Sequence, residues 1–343
     1  MAQQTPALDL IRLVNGYQIS QAIHVAASLG IADHLAAGER TSDDLAAATG
    51  THAPTLYRLL RALAATGVFH EGPDKRFALT SMGECLRSDA PIPVAPWATL
   101  VGLPFEWNPW AHLLHSVRTG ENAFRYVHGS GNFDYLSRHP EEQAIFDGAM
   151  SAISRRLSPA VLAAYDFSLF NRVVDVGGGT GTLLADILMA HPHLRGVLFD
   201  QPHVVDRARP VLEAAGVADR CEIVGGSFFE SVPEGGDAYL LKFIVHDWDD
   251  AASTAILRAC RRAMGPEAKL LVLERLIGPP NEGADTKFTD LIMLVEPGGL
   301  ERTPAEFASL FTAAGFRLAR IVPTVMPLNV IEGTPMDGGA AKG

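Results

Sequence analysis

Two regimes of hydrophobic patterning divide the chain. Up to about residue 90, apolar positions recur at helical spacing. Leu56, Leu59, Leu60 and Leu63 form an i, i+3, i+4, i+7 stripe that opens at Pro54 and closes at Gly67, which predicts an amphipathic helix. Thr41-Ser42-Asp43-Asp44 ahead of Leu45-Ala46-Ala47-Ala48 reads as a helix start, with Gly50 as the stop. Val68 to Glu71 and Arg76 to Thr80 flank a Gly72-Pro73-Asp74 turn and read as a hairpin. From Asn171 onward, short apolar runs alternate with helical stretches. Strands are expected at 172–176, 196–200, 221–225, 237–242 and 269–274, with one intervening helix from Ala251 to Met264 ended by Gly265-Pro266. Such alternation predicts an α/β fold with a doubly wound, mostly parallel sheet. The tail departs from it. Phe316 to Val322 and Val325 to Ile331 are separated only by a turn at Pro323, which predicts an antiparallel hairpin at one sheet edge.

Between these regimes, residues 91 to about 160 combine Pro91, Pro93, Pro96, Pro104 and Pro109 with Trp97, Phe105, Trp107 and Trp110. This stretch reads either as interdomain core or as the wall of an apolar pocket. The first 90 residues resemble a winged helix-turn-helix. From Thr41 to Ser88, however, Arg58, Arg61, Lys75, Arg76 and Arg87 are matched by Asp43, Asp44, Glu71, Asp74 and Glu84. A neutral module lacks the charge that drives duplex binding, so packing or dimerisation is the favoured role. The apolar upstream segment from Leu8 to Leu29 suits a second copy of the chain, and a homodimer is expected.

Composition narrows the classes further. With 343 residues, 48% of them apolar, the chain can build two domains with large cores. A net charge of −11 disfavours nucleic acid or an anionic membrane as the main partner. No apolar run approaches the roughly 18 residues of a membrane span. The first residues lack the order of a signal peptide. Cys85, Cys221 and Cys260 show no metal-binding or disulfide spacing, and a cytoplasmic location is expected.

Val173-Val174-Asp175-Val176 runs into Gly177-Gly178-Gly179-Thr180-Gly181 just before a helix. Glycines there let the backbone turn sharply and approach a ligand. Thr182 breaks the Gly-x-Gly-x-x-Gly spacing of pyrophosphate binders, so the turn suits a nucleoside without phosphates, such as S-adenosylmethionine (SAM). Asp200 ends the next apolar run, where a carboxylate can accept hydrogen bonds from ribose hydroxyls. The alternative is that Asp200 caps the helix beginning at Gln201-Pro202.

His246 follows the strand 237–242, at the sheet edge where ligands gather in open α/β folds. Glu274 ends the strand at 269–274. Glu301 stands just before a capping box formed by Thr303 and Glu306, with Pro304 at the first helical position. An imidazole used as a base needs a carboxylate on one nitrogen to keep the other free. Asp249 or Asp250 can cap the next helix, so those acids already have a structural explanation.

Taken together, the chain resembles the SAM-dependent O-methyltransferases of plant caffeic-acid type and their bacterial secondary-metabolite branch, which includes antibiotic biosynthesis enzymes. The resemblance spans nearly the whole chain. It rests on Val174 to Gly181, Phe199-Asp200-Gln201-Pro202-His203-Val204, Lys242-Phe243-Ile244-Val245-His246-Asp247-Trp248 and Pro297-Gly298-Gly299-Leu300-Glu301-Arg302-Thr303. It implies a Rossmann-like class I methyltransferase domain, a seven-stranded sheet with an antiparallel edge, behind an N-terminal winged-helix dimerisation domain. The implied limits are 1–90 for dimerisation, 91–165 for a helical linker and pocket segment, and 166–343 for the catalytic domain.

The resemblance also implies site roles. Gly177, Asp200, Phe228 and Lys242 would contact SAM, joined by Asp175, Gly179 and Ser227. His246 would be the general base, flanked and oriented by Glu274 and Glu301. Phe146, Met150, Ile292 and Met293 would line the acceptor pocket, with Asp247 on the same side, and no metal is implied. The product side would be S-adenosylhomocysteine and a methylated hydroxyl of an aromatic or polyketide-type metabolite. One departure stands out: Ser227 occupies the place where the family usually has an Asp that accepts from the adenine amine. A SAM-binding relative catalysing hydroxylation, decarboxylation or a pericyclic step, and a SAM-sensing regulator, are the alternatives.

Overall fold

Capping and turn residues set the element ends of the N-terminal region in this computed structural model, which describes residues 5–336. Thr41 and Asp44 form a reciprocal capping box on the helix Ser42–Thr49, and Gly50 closes it in the left-handed conformation at φ 65°. The helix Ala53–Ala65 buries Leu56, Leu60 and Leu63. Phe69–Glu71 pairs antiparallel with Arg76–Leu79, and Arg40–Thr41 adds a third strand. Ile31, Leu45, Leu60, Phe69 and Phe77 fill the core between these elements. The first helix, Pro6–Val14, buries no residue of its own.

The chain divides into two compact units. One contains the residues up to 107 together with 144–152, and the other contains 108–143 and the chain from 153 onward. The segment 91–165 is therefore shared between the units, because the single helix Pro140–Ala164 belongs partly to each.

The second unit is built on seven strands: β1 (Arg172–Val176), β2 (Arg195–Asp200), β3 (Cys221–Gly225), β4 (Ala238–Lys242), β5 (Lys269–Glu274), β6 (Phe316–Pro323) and β7 (Asn329–Pro335). Their order is β3-β2-β1-β4-β5-β7-β6. The first five are parallel, and β7 runs antiparallel to both neighbours. Val173, Val174, Val176, Leu240, Leu241 and Leu271 are fully buried, as expected of parallel strands covered on both faces. Strand order reverses between β1 and β4, which opens a crevice beyond their carboxyl ends.

One expectation needs correction. The last strand is Asn329–Pro335, four residues later than the expected 325–331. Residues 324–328 make the turn instead: Leu328 N–H donates to the Met326 carbonyl (2.7 Å), and Met326 N–H donates to Thr324 Oγ1 (3.1 Å). Pro327 has no N–H for a ladder, and Val325 is 93% exposed. Apolar residues in this stretch mimicked strand alternation without a sheet face to bury. Among the described residues no helix is long and apolar enough to cross a membrane.

Candidate active site

At the end of β1 the backbone turns through glycines with φ of 70° at Gly177, 61° at Gly179 and 83° at Gly181. A Cβ on Gly177 would lie 2.4 Å from Ile244 Cδ1, whereas one on Gly179 would meet nothing within 4 Å. Gly177 thus permits close packing, and Gly179 leaves an open ledge. Asp200, at the tip of β2, accepts from Gly179 N–H (2.8 Å) and from Gln201 N–H (2.7 Å). The N-cap of the helix Pro202–Val205 is Gln201. The carboxylate of Asp200 is therefore tied both to the glycine turn and to the N-cap residue of that helix.

Asp175 is buried beneath the turn, and burial pushes its carboxyl up to about 7 against the pull of Lys242. Burial lowers the Lys242 ammonium, which Asp175 and Glu274 oppose. Phe228 reaches to 3.7 Å from the Cβ position of Gly177. Ser227 Oγ accepts from Phe229 N–H (3.3 Å), closing a local turn beyond β3. Asp237 is spent at the opposite sheet end, accepting from the N–H groups of Asn171 (2.7 Å) and Arg172 (3.0 Å).

His246 lies past β4 in the short turn Val245–Asp247, and only 6% of it is exposed. Its Nδ1 is 2.8 Å from Glu301 Oε1 and 3.4 Å from Glu274 Oε2, and both of those side chains are fully buried. Its Nε2 is 3.5 Å from Asp247 Oδ1. Nδ1–H donating to Glu301 fixes the tautomer that leaves Nε2 available as an acceptor. Glu274 Oε1 also accepts from the backbone N–H of His246 (3.3 Å) and Ile244 (3.1 Å).

Burial alone would lower the imidazole, but Glu274, Asp247 and Glu301 together hold it up at about 9. Burial pushes Glu274 up to about 7 and Asp247 up to about 6, each opposed by His246. The charges of His246, Glu274 and Asp247 thus act on one another. His246, Glu274 and Glu301 offer donor atoms within 4.8 Å of one another, a spread that a divalent cation can also bridge. The 2.8 Å contact is a hydrogen-bond length, and the set fits a proton relay at least as well.

Three neighbours of this cluster stood in the quoted motifs but were given no role from sequence. Gly299 stacks directly on the His246 turn: a Cβ there would fall 2.0 Å from the His246 carbonyl oxygen. Phe243 holds a left-handed φ of 55°, rare for an aromatic residue, and its ring stacks on His246 at 5.2 Å. Arg302 is fully buried although it precedes a helix, where an arginine is ordinarily exposed. The capping box that follows it was legible in sequence, but nothing local marked its side chain as interior.

The residues expected on the acceptor side belong to different units. Ile292 and Met293 lie on the helix Ala284–Val295 of the second unit, with Met293 buried. Phe146 and Met150 lie in the part of the helix Pro140–Ala164 that belongs to the first unit, and both are half-buried.

A glycine turn on β1, a carboxylate on β2 and the β3-β2-β1-β4-β5-β7-β6 order together define a Rossmann-like methyltransferase fold. Residues 110–317 match the model of the O-methyltransferase domain, and 11–89 match that of the O-methyltransferase dimerisation domain. The chain belongs to the O-methyltransferase family.

Phenazine O-methyltransferase PhzM of Lysobacter antibioticus is 45% identical over 95% of this chain and 96% of its own. The crystal structure of LaPhzM superposes with a TM-score of 0.94 at 44% identity, covering 97% of this chain and all of that one. An O-methyltransferase from neocarzinostatin biosynthesis, solved with SAM and 2-hydroxy-5-methyl naphthoic acid, gives a TM-score of 0.80 at 35% identity, covering 93% and 96%. Aclacinomycin 10-hydroxylase RdmB of Streptomyces purpurascens is also similar, at 37% identity over 90% of this chain and 84% of its own.

Proposed function

We propose that this enzyme moves the methyl group of SAM onto a hydroxyl of a small aromatic or polyketide-type acceptor, with His246 as general base. The observation that carries this reading is the buried imidazole whose Nδ1 faces Glu301 at 2.8 Å at the carboxyl edge of the sheet. The phenazine and naphthoate chemistry named for the similar proteins supports an aromatic acceptor.

SAM, when bound, supplies an electrophilic methyl group on a good leaving group. The ledge that Gly179 leaves open, and the Asp200 carboxylate beside it, suit its nucleoside. Lys242 and Asp175 lie under the turn, with Phe228 at its side. His246 Nε2 takes the hydroxyl proton as the acceptor oxygen attacks, while Glu301 and Glu274 steady the imidazolium that forms. Alignment of the oxygen with the methyl group supplies most of the advantage.

The assay is purified protein with SAM and a panel of phenols, scored for S-adenosylhomocysteine and methylated acceptor in equal amounts. Acceptor modification without S-adenosylhomocysteine would overturn methyl transfer and favour chemistry of the kind named for the hydroxylase relative.

The pH dependence follows from the raised imidazole. At pH 7 a group held at about 9 is mostly protonated, yet it is well matched to a phenol near pKa 10. The rate of the chemical step is therefore expected to climb from pH 7 to about 9. Glu301→Gln removes a carboxylate that favours the proton, so this limb should move to lower pH while the plateau falls. A kcat–pH profile of the variant that matches wild type would exclude the assigned coupling.

Ser227 bears on affinity. Ser227→Asp restores a charged acceptor near the adenine side and can still accept from Phe229 N–H. SAM binding should tighten about fivefold, near 1 kcal/mol. Calorimetry that finds equal or weaker binding would place the adenine elsewhere.

The dimerisation domain, with Leu10 61%, Leu13 78% and Val14 65% exposed on the first helix, supports a homodimer through the N-terminal region. Light scattering should give twice the chain mass, and a monomer at micromolar concentration would refute this.

A further inference from the structure

His246, Glu274 and Glu301 come from three separate segments, and the nearest carboxylate lies 55 positions along the chain from the imidazole. Something must hold those segments to within a few tenths of an ångström. We infer that Arg302 is the positioning residue that holds the His246 turn at hydrogen-bonding distance from Glu301. This inference rests on the reading of His246 as the base.

Arg302 is bonded to all three segments. It follows Glu301 directly in the chain. Its backbone forms a parallel bridge with Leu276, and its carbonyl accepts from Ile277 N–H (3.0 Å), two and three residues beyond Glu274. Its side chain crosses to the His246 turn. Nη1 donates to the Val245 carbonyl (3.0 Å) and the Leu300 carbonyl (3.3 Å). Nη2 donates to the Trp248 carbonyl (2.9 Å) and Ser253 Oγ (3.2 Å). Nε donates to Asp250 Oδ1 (2.9 Å), and Nη2 lies 2.8 Å from the same oxygen.

The carbonyls of Val245 and Trp248 bracket the pair His246-Asp247, so one guanidinium pins the turn on both sides. Between those anchors the His246 carbonyl accepts from Leu300 N–H (2.9 Å), and Gly299 leaves no room for a side chain. Ser253 Oγ donates to the Val245 and Trp248 carbonyls as well, at 3.1 Å each.

The chemistry demands arginine. A fully buried cation is costly unless its donors are satisfied. Its planar fork can reach acceptors in several directions at once, which a lysine ammonium cannot reproduce. The single carboxylate in the set, Asp250, has a side chain 78% exposed, so most of the bonding is to backbone carbonyls whose places define the turn. The arrangement directs the guanidinium at the geometry of the turn more than at an ion pair.

The test compares Arg302→Lys, Asp250→Ala and Ser253→Ala in the full-length enzyme. A displacement of the imidazole by about 1 Å costs on the order of 100-fold in rate. Arg302→Lys should lower kcat roughly 10- to 100-fold, leave the SAM dissociation constant within about twofold, and move the rising limb of the kcat–pH profile to lower pH. Asp250→Ala and Ser253→Ala should shift both readouts in the same direction by less, and they keep the inference testable if Arg302→Lys fails to fold.

A folded Arg302→Lys with unchanged kcat and an unchanged limb overturns the inference. So does a loss of melting temperature in all three variants without movement of the limb. A separate readout guards the underlying reading. If His246→Ala keeps its turnover, the base assignment fails. The imidazole titration of His246, followed by NMR, then still reports whether Arg302→Lys displaces it from Glu301. A titration that does not move refutes the positioning role by itself.

Discussion

His246→Ala is expected to lower kcat by about 100- to 10,000-fold, the range of a positioned general base. SAM binding should stay within about twofold, because the glycine turn and Asp200 are held by their own hydrogen bonds on β1 and β2. No neighbour can take over the proton cleanly. Glu301 and Glu274 are fully buried behind the imidazole, and Asp247 Oδ1 lies 3.5 Å from its Nε2. Without the ring, Glu274 loses the cation that opposes its burial and keeps its proton to higher pH. The variant should therefore lose stability most at alkaline pH, where that proton leaves. Single-turnover kinetics with a competent phenol decide the matter. A chemical step within threefold of wild type would remove His246 from the mechanism.

The second large effect is on the cofactor side. Asp200→Ala should weaken SAM binding about 100-fold, near 2.7 kcal/mol, the loss expected when charge-assisted bonds to the ribose disappear. Part of the effect would come from the turn itself, since Gly179 N–H loses its acceptor at 2.8 Å. At saturating SAM, turnover should recover to within several-fold, because the His246 cluster sits beyond β4 and β5 and does not use Asp200. Calorimetry and acceptor-saturated kinetics separate the two terms. An unchanged dissociation constant would show that the carboxylate serves only the turn, and the nucleoside would then need another partner. Aspartate-to-asparagine exchange refines this, keeping an acceptor for Gly179 while removing the charge.

The candidate site was legible in sequence wherever a single segment writes its own geometry. The glycine turn was readable because positive φ at Gly177, Gly179 and Gly181 and a tight strand-to-helix connection leave a local residue pattern. The same holds for the helix at Pro304, whose capping box of Thr303 and Glu306 forms as its spacing implied. It holds for Asp249, which accepts from Ala252 N–H (2.8 Å) as an N-cap. Relations among segments were less legible. Glu301 and Glu274 were both nominated as partners of His246, but only packing shows Glu301 closest and Glu274 also holding the backbone. The role of Asp200 stood between helix capping and ligand binding, and its carboxylate holds both the glycine turn and the backbone N–H of Gln201.

The amino-acid sequence by itself determined the alternation of strands and helices, the glycine turn, the caps and the residues able to do acid–base chemistry. Each of these depends on a backbone segment and its immediate neighbours. The tertiary structure alone decided where β7 begins, that Phe243 lies at φ 55°, that Gly299 must admit the His246 carbonyl, and that Arg302 points inward. The physical reason is burial. A residue's exposure and its distant partners come from how segments pack, and an arginine before a helix is written the same way whether water or five backbone and side-chain acceptors surround it.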